Sequence, residues 1–398
     1  MRETMRWYGP SDPVKLDYIR HAGAVGVVSA LHDCPIGQVW PVEKIAKHKA
    51  RIQNAGLTWD VVESVPVPQE IKTGRAGRDE AIATFISSMR NLAASGVHTI
   101  CYNFMPVVDW TRTTLSHRMP SGALALGYDH TDFAAYDVYI LQRPNADHDY
   151  PHDVLAEAQT RAASMSEDDI AALEHIIIAG LPGGQPGFAA RNDILERIAD
   201  FDGISGDEMR ENLRIFQDAV SDAASSIGSR ICIHPDDPPF PVFGLPRVVS
   251  TASDLTNMFS AVPRQENGLT LCTGSLGANE KNDCVAMAKE HADRTHFLHL
   301  RNVEKTREKT FHESDHLDGD VDMIAVIQTM LQEETRRKKD GREDAEIPIR
   351  PDHGHLMMHE LDADNQSNPG YSAIGRMRGL AEIRGVARTF AKISASEA

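Results

Sequence analysis

The sequence predicts an α/β chain folded as a (β/α)8 TIM barrel with a helical insertion after strand four. Three observations carry that expectation. Short β-like runs alternate with helical patterns along most of the 398 residues, the signature of a parallel sheet, and eight such units imply closure into a barrel. Four of the runs end on a residue able to bind a metal: His234, Cys272, His299 and Asp352. Each stands where an apolar strand gives way to a polar loop, the place where such barrels keep their active sites.

The candidate strands, in order, are residues 5–8, 25–31, 58–65 and 97–104, followed by the four segments that end on His234, Cys272, His299 and Asp352. Helical patterns cover 42–55, 78–94, 253–261, 279–294, 321–338 and 374–393. The stretch 108–228 has no convincing strand but several helix patterns. Ser166-Glu-Asp-Asp169 and Ser205-Gly-Asp-Glu208 resemble capping boxes that open two of them. Leu181-Pro-Gly-Gly-Gln-Pro-Gly187 is a breaker cluster between helices. The whole chain, 1–398, is therefore read as one barrel domain, with 109–228 as a helical cap over the barrel mouth rather than an independent domain.

Composition narrows the class. Hydrophobic content of 41% and charged content of 25% suit an ordinary soluble enzyme. A formal charge of −17 without a basic stripe argues against nucleic-acid binding. The one basic cluster, Arg336-Arg337-Lys338-Lys339, is expected to be a solvated helix C-terminus. Five cysteines without a CxxC pair argue for a reducing compartment. The first residues lack the apolar core of a signal peptide, and no apolar run approaches the roughly 20 residues of a membrane span. A cytoplasmic protein with no membrane partner is expected, and as a large barrel it is expected to be a homo-oligomer, a dimer.

Each candidate ligand alone admits a bland reading. A His at a strand end is usually a hydrogen-bonded structural His, and a Cys in an apolar strand is usually a small buried hydrophobe. Asp352 after Pro351 resembles a turn residue. Four at consecutive strand ends, tens of residues apart, point to a shared catalytic site rather than a zinc finger, whose ligands come in close pairs. Imidazole, thiolate and carboxylate together suit Mn, Fe, Co or Zn. Arg301 lies two residues beyond His299 and so looks into the same mouth, shaped to hold a carboxylate. Asp236 and Asp237 are placed to orient a His or bind hydroxyls, and also suit plain turn chemistry between prolines. His353 and His355 are acid/base candidates beside Asp352. Phe311-His-Glu313 and His316 read equally as a lid or a satisfied loop.

These residues, with Arg6-Trp-Tyr-Gly9, Leu31-His-Asp-Cys-Pro35, Ile233-His-Pro-Asp-Asp-Pro-Pro239, Cys272-Thr-Gly-Ser275, His299-Leu-Arg-Asn302, Arg350-Pro-Asp-His-Gly-His355 and Gly370-Tyr371, are specific in order and number. The chain resembles the metal-dependent D-mannonate dehydratase family, whose barrel is xylose-isomerase-like. The resemblance implies one divalent metal per chain, Mn²⁺ or Fe²⁺, on His234, Cys272, His299 and Asp352, and acid/base roles for His353 and Tyr371. It implies dehydration of D-mannonate to 2-dehydro-3-deoxy-D-gluconate in hexuronate catabolism. Nearby positive charge is expected to lower the Tyr371 phenol from about 10. Arg301, Tyr8, Asp236 and His355 form the expected substrate-binding set. Competing readings are a metal-dependent aldose–ketose isomerase or epimerase, a barrel phosphodiesterase acting on DNA, and a non-catalytic metal-binding barrel.

Overall fold

The computed structural model describes residues 1–179, 191–363 and 367–397. Its barrel strands are β1 (Arg2–Arg6), β2 (Gly26–Ser29), β3 (Thr58–Glu63) and β4 (Thr99–Tyr102). A hairpin follows, β5 (Thr114–Arg118) and β6 (Leu124–Tyr128). The barrel resumes with β7 (Arg230–Ile233), β8 (Asn267–Cys272) and β9 (Thr295–His299). A second hairpin, β10 (Val303–Arg307) and β11 (Thr310–Glu313), precedes the last barrel strand, β12 (Pro348–Arg350). The eight parallel strands close in the order β1-β12-β9-β8-β7-β4-β3-β2. The expected (β/α)8 barrel is therefore the observed fold.

The sequence reading needs correction between β4 and β7. That stretch is not strand-free: β5 and β6 join β10 and β11 in an antiparallel sheet ordered β10-β11-β6-β5. Single-sequence periodicity misses it because its two hairpins lie far apart in the chain and stabilise each other only on meeting. The helices that follow include Glu167–Ala179 and Gly206–Ser226, and both expected capping boxes form, Ser166 with Asp169 and Ser205 with Glu208. The breaker cluster 181–187 lies outside the described residues.

Most barrel helices sit where periodicity puts them: Val42–Asn54, Arg78–Ala94, Ala252–Ala261, Met323–Lys339 and Ala373–Glu397. The expected helix over 279–294 shortens to Cys284–His291, because the Asp283 carboxylate accepts from the amides of Val285 and Ala286 and starts the helix there. The basic cluster is not simply solvated. Arg337 is fully buried and donates to Glu333 and to the carbonyls of Ala292 and Thr295, tying its helix beneath the barrel. No helix among the described residues is long and apolar enough to cross a membrane.

The barrel interior is filled by Val28, Val61, Cys101, Cys232 and Phe297, all inaccessible. A larger apolar layer packs the helices onto the outside of the strands. A separate cluster, including Tyr128, Phe133, Phe243 and Phe311, lies under the segment between β4 and β7 and joins it to β11. The bulk of the interior thus lies below the strand ends, and register sets what stands above it. Cys272 on β8 is paired with His299 on β9, and His299 is paired with Arg350 on β12. On the other flank the amide of His234 donates to the Tyr102 carbonyl, extending β7 along β4 to His234.

After β12 the chain turns back across the barrel mouth. Gly354 pairs with Tyr371 and packs against the first turn of the last helix; a Cβ on Gly354 would lie 2.3 Å from the Arg376 nitrogen and the Gly375 carbonyl carbon. Backbone cannot yield as a flexible side chain does. Gly354→Ala is therefore expected to destabilise the protein by about 1–3 kcal/mol, measured as a lower urea midpoint than the wild type.

Candidate metal centre and active site

The donor atoms of His234, Cys272 and His299 lie within 4.8 Å of one another at the C-terminal ends of three adjacent strands. Nε2 of His234 is 3.2 Å from Nδ1 of His299. Asp352, the fourth expected ligand, reaches the same place: its Oδ2 is 3.9 Å from both the Cys272 sulfur and Nδ1 of His299. Asp352 has a φ of 63°, the left-handed region that few residues besides Gly, Asn and Asp enter readily.

The chemistry of the donors fits a divalent cation. Burial alone would push the Cys272 thiol up, but Arg301, His234 and His299 outweigh it and bring it down to about 5. It is a thiolate at neutral pH, the form that binds metals. Burial would likewise lower His234, yet the Cys272 thiolate, with Cys101 and Glu63, holds it up at about 10. The cluster therefore draws positive charge to the ring atoms that would hold the cation. Burial opposes ionisation of Asp352 too, but Arg350, His353, His299 and Arg301 keep it well below the usual carboxylate range.

Around the ligands runs a chain of alternating buried charges. Arg6 pairs with Glu63 at 3.2 Å, and Glu63 with Arg350 at 2.9 Å. Arg350 also pairs with Asp352, and Asp352 lies 3.5 Å from Arg301. Arg301 bonds Asp237 at 2.7 Å and approaches Glu313 at 3.3 Å. Arg112 bridges Asp237 and Glu313 at 2.7 and 3.1 Å. Gly274 makes room for Arg301, since a Cβ there would lie 1.9 Å from its Nε.

The two expected acid/base residues come together. The rings of His353 and Tyr371 are 5.1 Å apart, edge to face, and both line one small cavity with His234, Arg301 and Asp352. Nδ1 of His353 is 3.0 Å from Glu313, whose carboxylate is held down at about 2: burial opposes this, but Arg301, His353 and Arg112 prevail. The imidazole thus donates through Nδ1 and presents Nε2. Burial, reinforced by Asp352 and Glu63, raises the Tyr371 phenol above its ordinary value. Arg350 and Arg6 pull it down, as expected of nearby positive charge, but burial outweighs them.

The substrate-binding set is only partly assembled. Arg301 lines the cavity, and its Nη2 is a buried donor without a hydrogen-bond partner. Tyr8 stands behind Tyr371, edge to face at 4.9 Å, and faces a neighbouring cleft. Asp236 turns away: its Oδ2 accepts from the amide of Val249 and the hydroxyl of Ser250, pinning the loop after β7, and it is Asp237 that lines the cavity. His355 also points elsewhere, 3.4 Å from Asp315. The sequence reading missed Glu63 and Arg112 as site charges, gave Arg350 no role, and left Glu313 open between a part in the site and a satisfied loop. Glu63 carried a signal, a carboxylate at the end of an apolar strand. Arg112 carried none, because it arrives from the segment between β4 and β7.

A (β/α)8 barrel with an imidazole–thiolate–imidazole cluster at its strand ends defines a candidate mononuclear metal enzyme. Comparison narrows this. Residues 1–397 match the family model described as D-mannonate dehydratase (UxuA). The chain is 51% identical over 386 residues to a mannonate dehydratase of Saccharophagus degradans, covering 97% of each chain. It is 52% identical over 389 residues to mannonate dehydratase 2 of Agrobacterium fabrum, covering 98% of this chain and 97% of that one. Among solved structures, mannonate dehydratase from Streptococcus suis serotype 2 superposes with a TM-score of 0.78 at 30% identity, covering 99% of this chain and 96% of the other. A xylose isomerase domain protein from Planctomyces limnophilus, at 10% identity and a TM-score of 0.51, shares the fold. The chain belongs to the D-mannonate dehydratase family and is an enzyme of that type.

Titration gives a test of the donor cluster. Between about pH 5 and about pH 10 it holds a thiolate and an imidazolium, so a cation must displace one proton, that of His234. The apparent association constant for Mn²⁺ is expected to rise about tenfold per pH unit between pH 6 and 8, measured by isothermal titration calorimetry. A constant independent of pH would rule out His234 as a ligand.

Proposed function

We propose that the chain dehydrates D-mannonate to 2-dehydro-3-deoxy-D-gluconate, in hexuronate catabolism, with one Mn²⁺ or Fe²⁺ on His234, Cys272, His299 and Asp352. The observation that carries this reading is the charge balance of the buried site. Four arginines face four carboxylates, and once the cation displaces the His234 proton the Cys272 thiolate leaves one net negative charge among the residues. A divalent cation makes that one net positive charge, and a monoanionic sugar acid neutralises it. A neutral aldose or ketose would leave an unpaired buried charge, which is costly. The isomerase alternative is disfavoured on this ground.

The chemical difficulty lies in removing a proton next to a carboxylate, because a second negative charge builds beside the first. The bound cation supplies Lewis-acid stabilisation of that charge. Arg301 holds the substrate carboxylate through its unpartnered Nη2, while Asp237 and Glu313 fix the guanidinium. His353 and Tyr371 share the two proton transfers, one from C2 and one to the departing C3 oxygen. Glu313 holds His353 in the tautomer that leaves Nε2 reactive. Residues 109–228 act as a cap within a single domain: Asp109 and Trp110 at the start of the segment line the cavity, which supports this reading. Five free cysteines, four of them buried, support a reducing cytoplasmic setting.

Protein stripped with chelator and reloaded with Mn²⁺ is expected to convert D-mannonate to a product lighter by one water by mass spectrometry, and to leave neutral hexoses unchanged. Failure with both Mn²⁺ and anaerobic Fe²⁺ would end the dehydratase reading. His353→Ala and Tyr371→Phe are each expected to lose about 10²–10⁴-fold in kcat while retaining stoichiometric metal. In deuterated water, the variant that keeps the base still exchanges the C2 hydrogen; near-wild-type turnover by either variant would remove that residue from the mechanism.

A further inference from the structure

His299 meets two neighbours that make opposite demands on one atom. Its Nε2 lies 3.0 Å from Nε of Arg350 and 3.4 Å from Oε1 of Glu63. Its Nδ1 faces the donor cluster, 3.2 Å from His234 and 3.9 Å from Asp352. An arginine N–H can only donate, so the Arg350 contact needs a lone pair on Nε2 and puts the ring proton on Nδ1. A cation on Nδ1 needs the lone pair there, which puts the proton on Nε2. The two arrangements exclude each other, and the ring must choose.

The surroundings are built for both. Arg350 can release His299 without being orphaned, since its other nitrogens already hold Glu63 and Asp352. Glu63 comes from β3, directly across the closed barrel from β9, and its carboxylate reaches over the interior to the ring. Its Oε2 is buried, paired with Arg6 but without a hydrogen bond, so the group has acceptor capacity to spare.

We propose that Glu63 is the positioning residue that accepts the Nε2–H of His299, selects the tautomer that frees Nδ1 toward the donor cluster, and thereby sets the site's affinity for a divalent cation. The inference rests on the metal reading given above. Cation binding then trades the Arg350–His299 hydrogen bond for a His299–Glu63 one. Glu63 acts through the ring.

The test uses full-length protein labelled with ¹⁵N-histidine and diamagnetic Zn²⁺ as the probe. In the wild type, Zn²⁺ is expected to leave His299 protonated at Nε2, and Glu63→Gln to weaken Zn²⁺ binding about 10–100-fold while shifting the Nε2–H resonance. A merely structural role would not move that resonance. Wild-type affinity in Glu63→Gln, or an unprotonated Nε2 in the Zn²⁺-loaded wild type, would overturn the proposal and leave the dehydratase reading standing. Absence of Zn²⁺ from these ligands in the wild type would overturn the metal reading and this inference together. If Glu63→Gln does not fold, Glu63→Asp, whose shorter carboxylate withdraws from Nε2, takes its place with the same two readouts and the same expected losses.

Discussion

The site depends on a buried lattice of alternating charge. Arg6, Glu63, Arg350, Asp352, Arg301, Glu313, Arg112 and Asp237 follow one another across the barrel mouth, and each charge after the terminal Arg6 is held between opposite ones. Burying any one alone would cost several kcal/mol. Together they are tolerated because the geometry leaves few unpaired. The lattice does more than survive burial. Through Arg301 it brings Cys272 down, and it holds Glu313 as a carboxylate against His353, so these protonation states are properties of the framework.

The lattice also explains why the barrel is not sufficient by itself. Its members come from β1, β3, β11 and β12, from the turns after β7, β9 and β12, and from the segment after β4. Glu313 is delivered by the four-stranded side sheet, which exists only because hairpins from two distant parts of the chain pair. Arg112, fully buried, comes from the same departure from the barrel rhythm. The side sheet is thus tied to the chemistry through Glu313 and His353.

Polar residues in one short loop divide sharply between anchoring and function. Asp236 and Asp237 are adjacent and chemically identical, yet one closes the loop on Val249 and Ser250 while its neighbour joins two arginines. His353 and His355 divide the same way, one against Glu313 and the other beside Asp315. In each case the choice follows from which side of a turn faces the cavity.

The sequence by itself determined the barrel, most of its helices and the four strand ends that carry the candidate ligands. These follow from local rules: apolar runs of strand length, helical periodicity, capping boxes, and polar residues that can only stand where a strand emerges. It also placed Arg301 two residues beyond His299, and it marked His353 and Tyr371 by resemblance. Only the tertiary structure decided that Asp237 and not Asp236 enters the site, that Arg337 is buried, that Tyr371 is raised and not lowered, and that Glu63 and Arg350 compete for one ring nitrogen. Those outcomes depend on which groups meet across the barrel and how far water is excluded from them. Charges paired across 287 residues, as Glu63 and Arg350 are, leave no periodicity in the chain to read.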